Sequence, residues 1–265
     1  MVDGPSDTIS GYTQQNRRAW NEIAGIREKM FPPAAFFAGG GSTVDPRAAA
    51  AVAQAFGQVG RLHLLHLQCA SGEDTLSWAV LGARAVGVDI SDKQIALARQ
   101  KAAAAGLPVD FFAADVYDLP EELRGGSFDV VFTGGGALVW LPDLTRWAGT
   151  IAACLKPGGR LVLLDEHPLA NCLWVEAGKL VLEGDYFRRG QAYDESGWRH
   201  FAGGEEAKET KYEFAWPLGD VVTAFARAGL VIERLEEYPT GPEWRFGEQS
   251  KQMRLPGEFL LVAKK

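Results

Sequence analysis

The stretch from Leu62 to Asp89 constrains the fold more than any other. Residues 62–68 read LHLLHLQ, residues 69–83 CASGEDTLSWAVLGA and residues 84–89 RAVGVD. The first run is apolar and short enough for a buried strand. A turn of small residues follows, with a helix expected from about Gly72 to Leu81 and a second strand ending at Asp89. That is a β-loop-α-β unit of a doubly wound sheet, whose ligand lies outside the carboxyl ends of the strands. Ala70, Ser71 and Gly72 are small enough to let a ligand approach the backbone. The opening helix turn offers free N–H groups and a partial positive charge to a carboxylate. Asp89 ends the second strand at the same edge, where its carboxylate can accept from both hydroxyls of a ribose.

His66–Gly72, HLQCASG, stands where class I S-adenosylmethionine-dependent methyltransferases carry D-L-G-C-G-T-G, and Gly87–Ser91 resembles their second-strand motif. Leu67, Cys69 and Gly72 match outright and Ser71 is conservative, whereas His66, Gln68 and Ala70 depart from the pattern. The variant L-Q-C-x-x-G-x-D-T-L of bacterial small-molecule methyltransferases is complete from Leu67 to Leu76. A dinucleotide-binding loop needs glycines at its first, third and sixth positions. Gln68, Ala70 and Glu73 stand there instead, so the pyrophosphate cradle is missing.

Composition narrows the class. Of 265 residues, 47% are hydrophobic and 23% charged, enough for a full core in one decorated α/β domain. The net charge of −7 argues against an electrostatic nucleic-acid binder. Cys69, Cys154 and Cys172 form neither a C-x-x-C pair nor a metal spacing, which fits a reduced compartment. The amino terminus lacks the basic and apolar regions of a signal peptide, and no run approaches membrane-spanning length. A cytoplasmic protein is expected, without membrane or nucleic acid as partner and with homodimerisation left open.

Along the chain, residues 1–9 read as disordered, and Ser10–Lys29 as a helix capped near Ser10 or Thr13 and ended by Pro32-Pro33. Gly39–Gly41 form a connector or hinge before a helix starting near Thr43 or Asp45. Ser91 caps a helix to Ala105 that Gly106 stops, and Val109–Ala113 is the third strand. Ser127–Thr133 is the fourth, running into Gly134-Gly135-Gly136. Pro142-Asp143 opens a helix through Leu155, and Lys156–Arg160 turns into a fifth strand reading LVLLDEH. A helix over Leu218–Ala228 and strands at Val231–Tyr238 and Glu258–Ala263, the last antiparallel, complete seven. Residues 168–216 exceed an ordinary α/β connection and alternate strand-like pieces with glycine turns, as hairpins covering a substrate would.

The expected fold is thus α/β: a Rossmann-like, doubly wound, mostly parallel sheet of seven strands, with N-terminal helices and a β-hairpin lid. Residues 1–60 form a helical cap, residues 61–265 the core, and residues 168–216 the lid inserted in it. The resemblance implies S-adenosylmethionine as cofactor. It assigns to the cofactor Gln68, Cys69, Ala70, Ser71, Gly72 and Thr75 in the first loop and helix, and Asp89 and Ile90 at the ribose edge. Asp115 and Val116 would face the adenine, Thr133 and Gly134 would lie beside the methyl group, and Tyr12 would fold over from the first helix. Trp20, on the same helix, is read as packing it onto the domain.

Methyl transfer is an in-line displacement on an already activated carbon. The protein chiefly aligns the nucleophile, and a base is needed only where a proton must leave. His167, at the carboxyl end of the fifth strand, is the expected base, or else orients the substrate. Gly135, Trp140, His167, Tyr186 and Trp216 are the expected substrate contacts. No metal is expected: Asp165, Glu166 and His167 alternate faces and have no third ligand in view. The fourth strand ends in Thr133-Gly134-Gly135-Gly136 instead of the Asn/Asp-Pro-Pro-aromatic turn of amino-group DNA methyltransferases, and no Pro-Cys nucleophile is present. The expectation is methyl transfer to an O, N or C atom of a small-molecule acceptor, with natural-product metabolism as one setting. Another S-adenosylmethionine-using reaction in the same fold, or a non-catalytic cofactor-binding or scaffold protein, are the alternatives.

Overall fold

The computed structural model describes residues 8–265. The disorder read for residues 1–9 therefore lies outside the described residues up to residue 7. Thr8 is already the N-cap of α1 (Ile9–Glu28), its Oγ1 accepting from Gly11 N at 3.1 Å, in place of Ser10 or Thr13. A short helix, α2 (Ala34–Ala38), follows unannounced, since five residues are too few to show a period. It buries Phe37 against Leu76 and Ile95. Asp45 caps α3 (Pro46–Phe56), with Pro46 in the first turn.

The expected unit then appears as β1 (His63–Leu67), α4 (Glu73–Val80) and β2 (Arg84–Asp89). After it come α5 (Asp92–Ala105), β3 (Asp110–Ala113), β4 (Phe128–Gly134), α6 (Leu144–Cys154) and β5 (Leu155–Glu166). Ser91 Oγ caps α5 by accepting from Gln94 N at 3.1 Å, and Gly106 ends it at φ +67°. The Lys156–Arg160 turn is absorbed into β5, because Gly158 N and Gly159 O bond the last residue, Lys265, at 2.8 and 3.0 Å.

Residues 168–216 form two small antiparallel sheets apart from the main one. In the first, β6 (Leu173–Glu176) pairs with β7 (Lys179–Leu182) around Ala177-Gly178, both at positive φ as a tight hairpin turn demands. In the second, β8 (Tyr193–Glu195) pairs with β9 (Lys211–Glu213). The chain closes with α7 (Leu218–Arg227), β10 (Val231–Tyr238), α8 (Glu243–Phe246) and β11 (Glu258–Lys264).

The main sheet has seven strands in the order β10-β11-β5-β4-β1-β2-β3. β1 to β5 run parallel, and β11 is antiparallel to both its neighbours. Each face carries its own core. Leu65 and Leu67 of β1 pack with Trp147 of α6 and Phe225 of α7, while Leu64 packs on the other side with Val52 of α3 and Trp78 of α4. That is the alternation a pleat imposes. Strand order reverses beside β1, between β4 and β2, so the carboxyl ends of these strands open the crevice where such folds bind ligands.

The N-terminal helix does not lie only on the core. Asn16, 4% exposed, donates from Nδ2 to Tyr212 O at 2.8 Å and accepts from Tyr212 N at 2.7 Å. Its amide thus pairs with β9 as a neighbouring strand would. Glu22 accepts from Lys208 N and Glu209 N, so cap and insertion are sewn together along the helix.

Candidate functional site

A cavity of about 1030 Å³ runs along the carboxyl ends of the parallel strands and on beneath residues 168–216. Its first half is made by the β1–β2 unit. Gln68 and Ala70 take positive φ (58° and 47°), turning the chain sharply out of β1. Asp89 Oδ2 accepts from Ala70 N at 2.8 Å and Oδ1 from Ser91 N at 2.9 Å. A carboxylate has about four acceptor positions, so these amides leave room for a ribose hydroxyl. Burial raises the Asp89 carboxyl above its usual range, against the pull of those amides. Asp115 Oδ1 accepts from Tyr117 N at 3.0 Å, which sets its carboxylate at the end of β3.

Gln68, Cys69, Ala70, Asp89, Ile90, Asp115, Val116, Gly134, Gly135 and Trp140 all line this cavity. The remaining residues expected at the site stand behind it. Thr75 bonds His66 Nδ1 at 2.9 Å, beneath the loop. Gly72 is needed for packing: a Cβ there would meet Phe111 at 2.8 Å. Thr133, fully buried, reaches Gln68 Oε1 at 3.5 Å, while Gln68 Nε2 donates to Ala137 O at 2.9 Å. Ser71 is likewise fully buried, accepting from Arg27 Nη1 at 2.5 Å and donating to Glu73 at 2.6 Å.

Ser71 belongs to an ionic network that sequence reading missed. Glu73, in the first turn of α4, pairs with Arg27 of α1 at 3.0 Å and with Lys101 of α5, and Lys101 also reaches Glu28 at 3.0 Å. Burial pushes the Glu73 carboxyl up, but the two cations outweigh it and hold it at about 2. Arg27 itself lines the cavity, so the network ties α1 to the loop after β1.

Three expected substrate contacts are corrected. Tyr186 Oη accepts from Leu218 N at 3.0 Å, and Trp216 Nε1 donates to Leu141 O at 2.7 Å; neither lines the cavity. His167 also faces away. Its Nδ1 accepts from Leu169 N at 3.0 Å, and its Nε2 sits 2.9 Å from Glu237 Oε1, off the line of an aligned hydrogen bond. With Nδ1 engaged in the turn after β5, Nε2 turned to Glu237 of β10, and burial lowering its pKa, His167 is fitted to hold that turn. Tyr12 does not reach the cofactor half: it stacks edge-on with Tyr212 and Phe214 at 5.0 and 5.3 Å.

The residue of β5 that does reach the cavity is Glu166. Arg245 of α8 lies 3.9 Å from it. Burial raises the Glu166 carboxyl to about 7, against the pull of Arg245. The preceding Asp165, raised by burial to about 6, accepts from Gly136 N and Leu138 N at 2.5 and 2.9 Å and so shapes the loop after β4. Rings build the rest of this half. Trp20 packs the helix onto the domain as expected, but it does so inside the cavity wall, 5.3 Å from Trp140 and 4.6 Å from Trp198. His200 stacks on Trp244 at 4.8 Å, and burial lowers its pKa to about 4. Among the described residues no cluster of three or more His, Cys, Asp or Glu could hold a metal ion.

Sheet order, crevice and loop geometry together define the class I S-adenosylmethionine-dependent methyltransferase fold. Residues 64–159 match the family model described as a methyltransferase domain. The ubiquinone biosynthesis O-methyltransferase of Xanthomonas axonopodis pv. citri (strain 306) is 34% identical over 120 residues, 44% of this chain and 49% of that protein. The chain thus spans about half the length of that curated relative. The structure of an S-adenosylmethionine-dependent methyltransferase from Mesorhizobium loti superposes with a TM-score of 0.60 at 24% identity, covering 82% of this chain and 96% of the other. The [4+2]-cyclase SpnF superposes at 0.61 with 19% identity, covering 96% of each chain.

Proposed function

We propose that the protein transfers a methyl group from S-adenosylmethionine to a small-molecule acceptor held beneath residues 168–216. One observation carries this reading: a single cavity joins the Ala70–Asp89 edge, suited to a nucleoside, to a ring-lined chamber under the insertion. Asp89 would hold the ribose, Asp115 and Val116 the adenine, and Arg27, which lines the same half of the cavity, would meet the cofactor's carboxylate. When bound, the cofactor supplies the electrophilic methyl carbon. The chain's own work is then to align the acceptor and keep out water.

The acceptor chamber is walled by rings and mixed charges, which favours a small molecule over a nucleic acid. No helix of the described residues is long and apolar enough to cross a membrane, and all three cysteines are free and buried, in keeping with a cytoplasmic enzyme. Residues 168–216 act as the lid. The likeness to a cyclase keeps a second reading, in which the same cavity serves another reaction and the cofactor is not consumed. Release of S-adenosylhomocysteine in step with methylated product, measured across a panel of small acceptors, decides between them. Cofactor binding without release in any mixture would remove the methyl-transfer reading.

A further inference from the structure

Three ionisable side chains leave the end of β5 in succession, and they meet different fates. Asp165 is occupied by the amides of Gly136, Leu138 and Glu166. His167 is occupied by Leu169 N and Glu237. Glu166 alone faces the cavity, and its nearest cation, Arg245 Nη2, is 3.9 Å away, too far for a hydrogen bond. Arg245 is itself fixed. Its Nη1 donates to Ala170 O at 3.1 Å and Asn171 Oδ1 at 2.8 Å, and its guanidinium lies 4.6 Å over Trp244 and 5.1 Å over Trp174. Its buried Nε has no partner in the protein.

Resting on the methyl-transfer reading above, we propose that Glu166 accepts the proton of the reaction, and that with Arg245 it selects a flat ring bearing an acidic hydroxyl as the methyl acceptor. Trp20, Trp140 and Trp244 line this half of the cavity without being fully buried, and give a planar acceptor ring surface to pack against. The carboxylate then takes the hydroxyl proton, and the oxygen forms the new O–C bond. The electrons of the breaking C–S bond stay on sulfur, leaving a neutral thioether and a protonated Glu166. Arg245 stabilises the negative charge that gathers on the oxygen along the way. An amine fits worse: a cationic one is repelled by the Arg245 guanidinium and held protonated by Glu166, with no lone pair to attack, and a neutral one gains nothing from a base, because its nitrogen attacks before it loses a proton.

The charges facing Glu166 support the role. Asp165 on β5, Glu213 on β9 and Glu258 on β11 raise its carboxyl alongside burial, and Arg245 on α8 opposes them. A base titrating at about 7 is half available near neutrality, where general-base catalysis is most effective.

The test offers the full-length protein S-adenosylmethionine with two matched panels, phenol, catechol and 4-hydroxyquinoline against aniline and 4-aminoquinoline, and reads methylated product by mass. O-methyl products are expected. On the best acceptor Glu166→Gln should lower kcat by roughly 10²–10⁴-fold with S-adenosylhomocysteine affinity unchanged. The wild-type rise in kcat through about pH 7 should vanish in that variant. In Arg245→Met the rise should move to higher pH, since the cation that lowers the Glu166 pKa is gone. N-methyl products alone, or a Glu166→Gln rate within a few-fold of wild type, overturn this proposal and leave methyl transfer standing. Cofactor binding with no methylated product in either panel overturns both.

Discussion

The two halves of the cavity are built on different principles. The half proposed for the cofactor is local: β1, the turn, α4 and β2 follow one another within 27 residues, 63–89, and backbone amides do much of the holding, as at Asp89. The half proposed for the acceptor is assembled from distant pieces, with Trp20 from α1, Glu166 from β5, Trp198 and His200 from residues 168–216, and Arg245 from α8. A local unit keeps its geometry whatever its surroundings do. An assembled wall can be altered piece by piece, so acceptor preference can change while the cofactor site stays as it is.

The largest break in that comparison should come from replacing residues 168–216 with a short turn. Turnover should be abolished, because the chamber loses Trp198, His200 and the β9 edge that Asn16 grips. Calorimetry should still detect S-adenosylhomocysteine binding to the remaining core. A shortened protein that keeps full activity would show that the insertion is not the lid.

Acid should act next, at the seam between cap and cofactor loop. Glu73 is held at about 2, against 4.5 for an ordinary glutamate. A carboxyl depressed in the folded state adds stability that is fully present above the unfolded value and is lost as pH falls through the folded one. Between about pH 4.5 and 2 the protein should therefore lose roughly 3 kcal/mol from this group. Denaturant unfolding of wild type and Glu73→Gln across that range checks it: the variant should be the less stable near neutrality, and the two curves should converge in acid. Parallel curves would mean that the network contributes no pH-dependent stability.

His167→Ala should disturb turnover least. Because His167 holds the turn after β5 and faces away from the chamber, kcat at saturating substrates should stay within a few-fold of wild type. The folded state should lose about 1–3 kcal/mol, the usual cost of stranding buried partners. A fall of a hundredfold or more in rate, in a protein that still folds, would return His167 to the chemistry.

What could be read from the sequence follows the same division. The β1–β2 unit, the seven strands and the residues of the first loop were legible because period, small turn residues and a terminal acid lie close together. Even there, Thr75 and Ser71 turned out to support the loop from behind, since a strand-and-turn pattern does not say which side chains of a buried helix face a ligand. At the end of β5 the chain reads Asp165-Glu166-His167, and choosing among them needs the strand's facing, which depends on its antiparallel partner β11. The histidine drew attention by residue type, and the glutamate carries the position. Arg27 with Glu73, and Arg245 with Glu166, are pairs 46 and 79 residues apart that no local pattern announces. Lys101 joins Glu73 the same way, as a buried charge on a helix whose other charged residues, Asp92, Lys93 and Arg99, are exposed.

If the Ala70–Asp89 edge binds a nucleoside through its ribose, a calorimetric titration of S-adenosylhomocysteine into wild type and Asp89→Ala should show it. Wild type should bind, and the variant, shown to be folded by its thermal transition, should bind more weakly by about 1–3 kcal/mol, roughly 5- to 150-fold in Kd. Equal affinity in a folded Asp89→Ala, or no binding by wild type, would contradict the account.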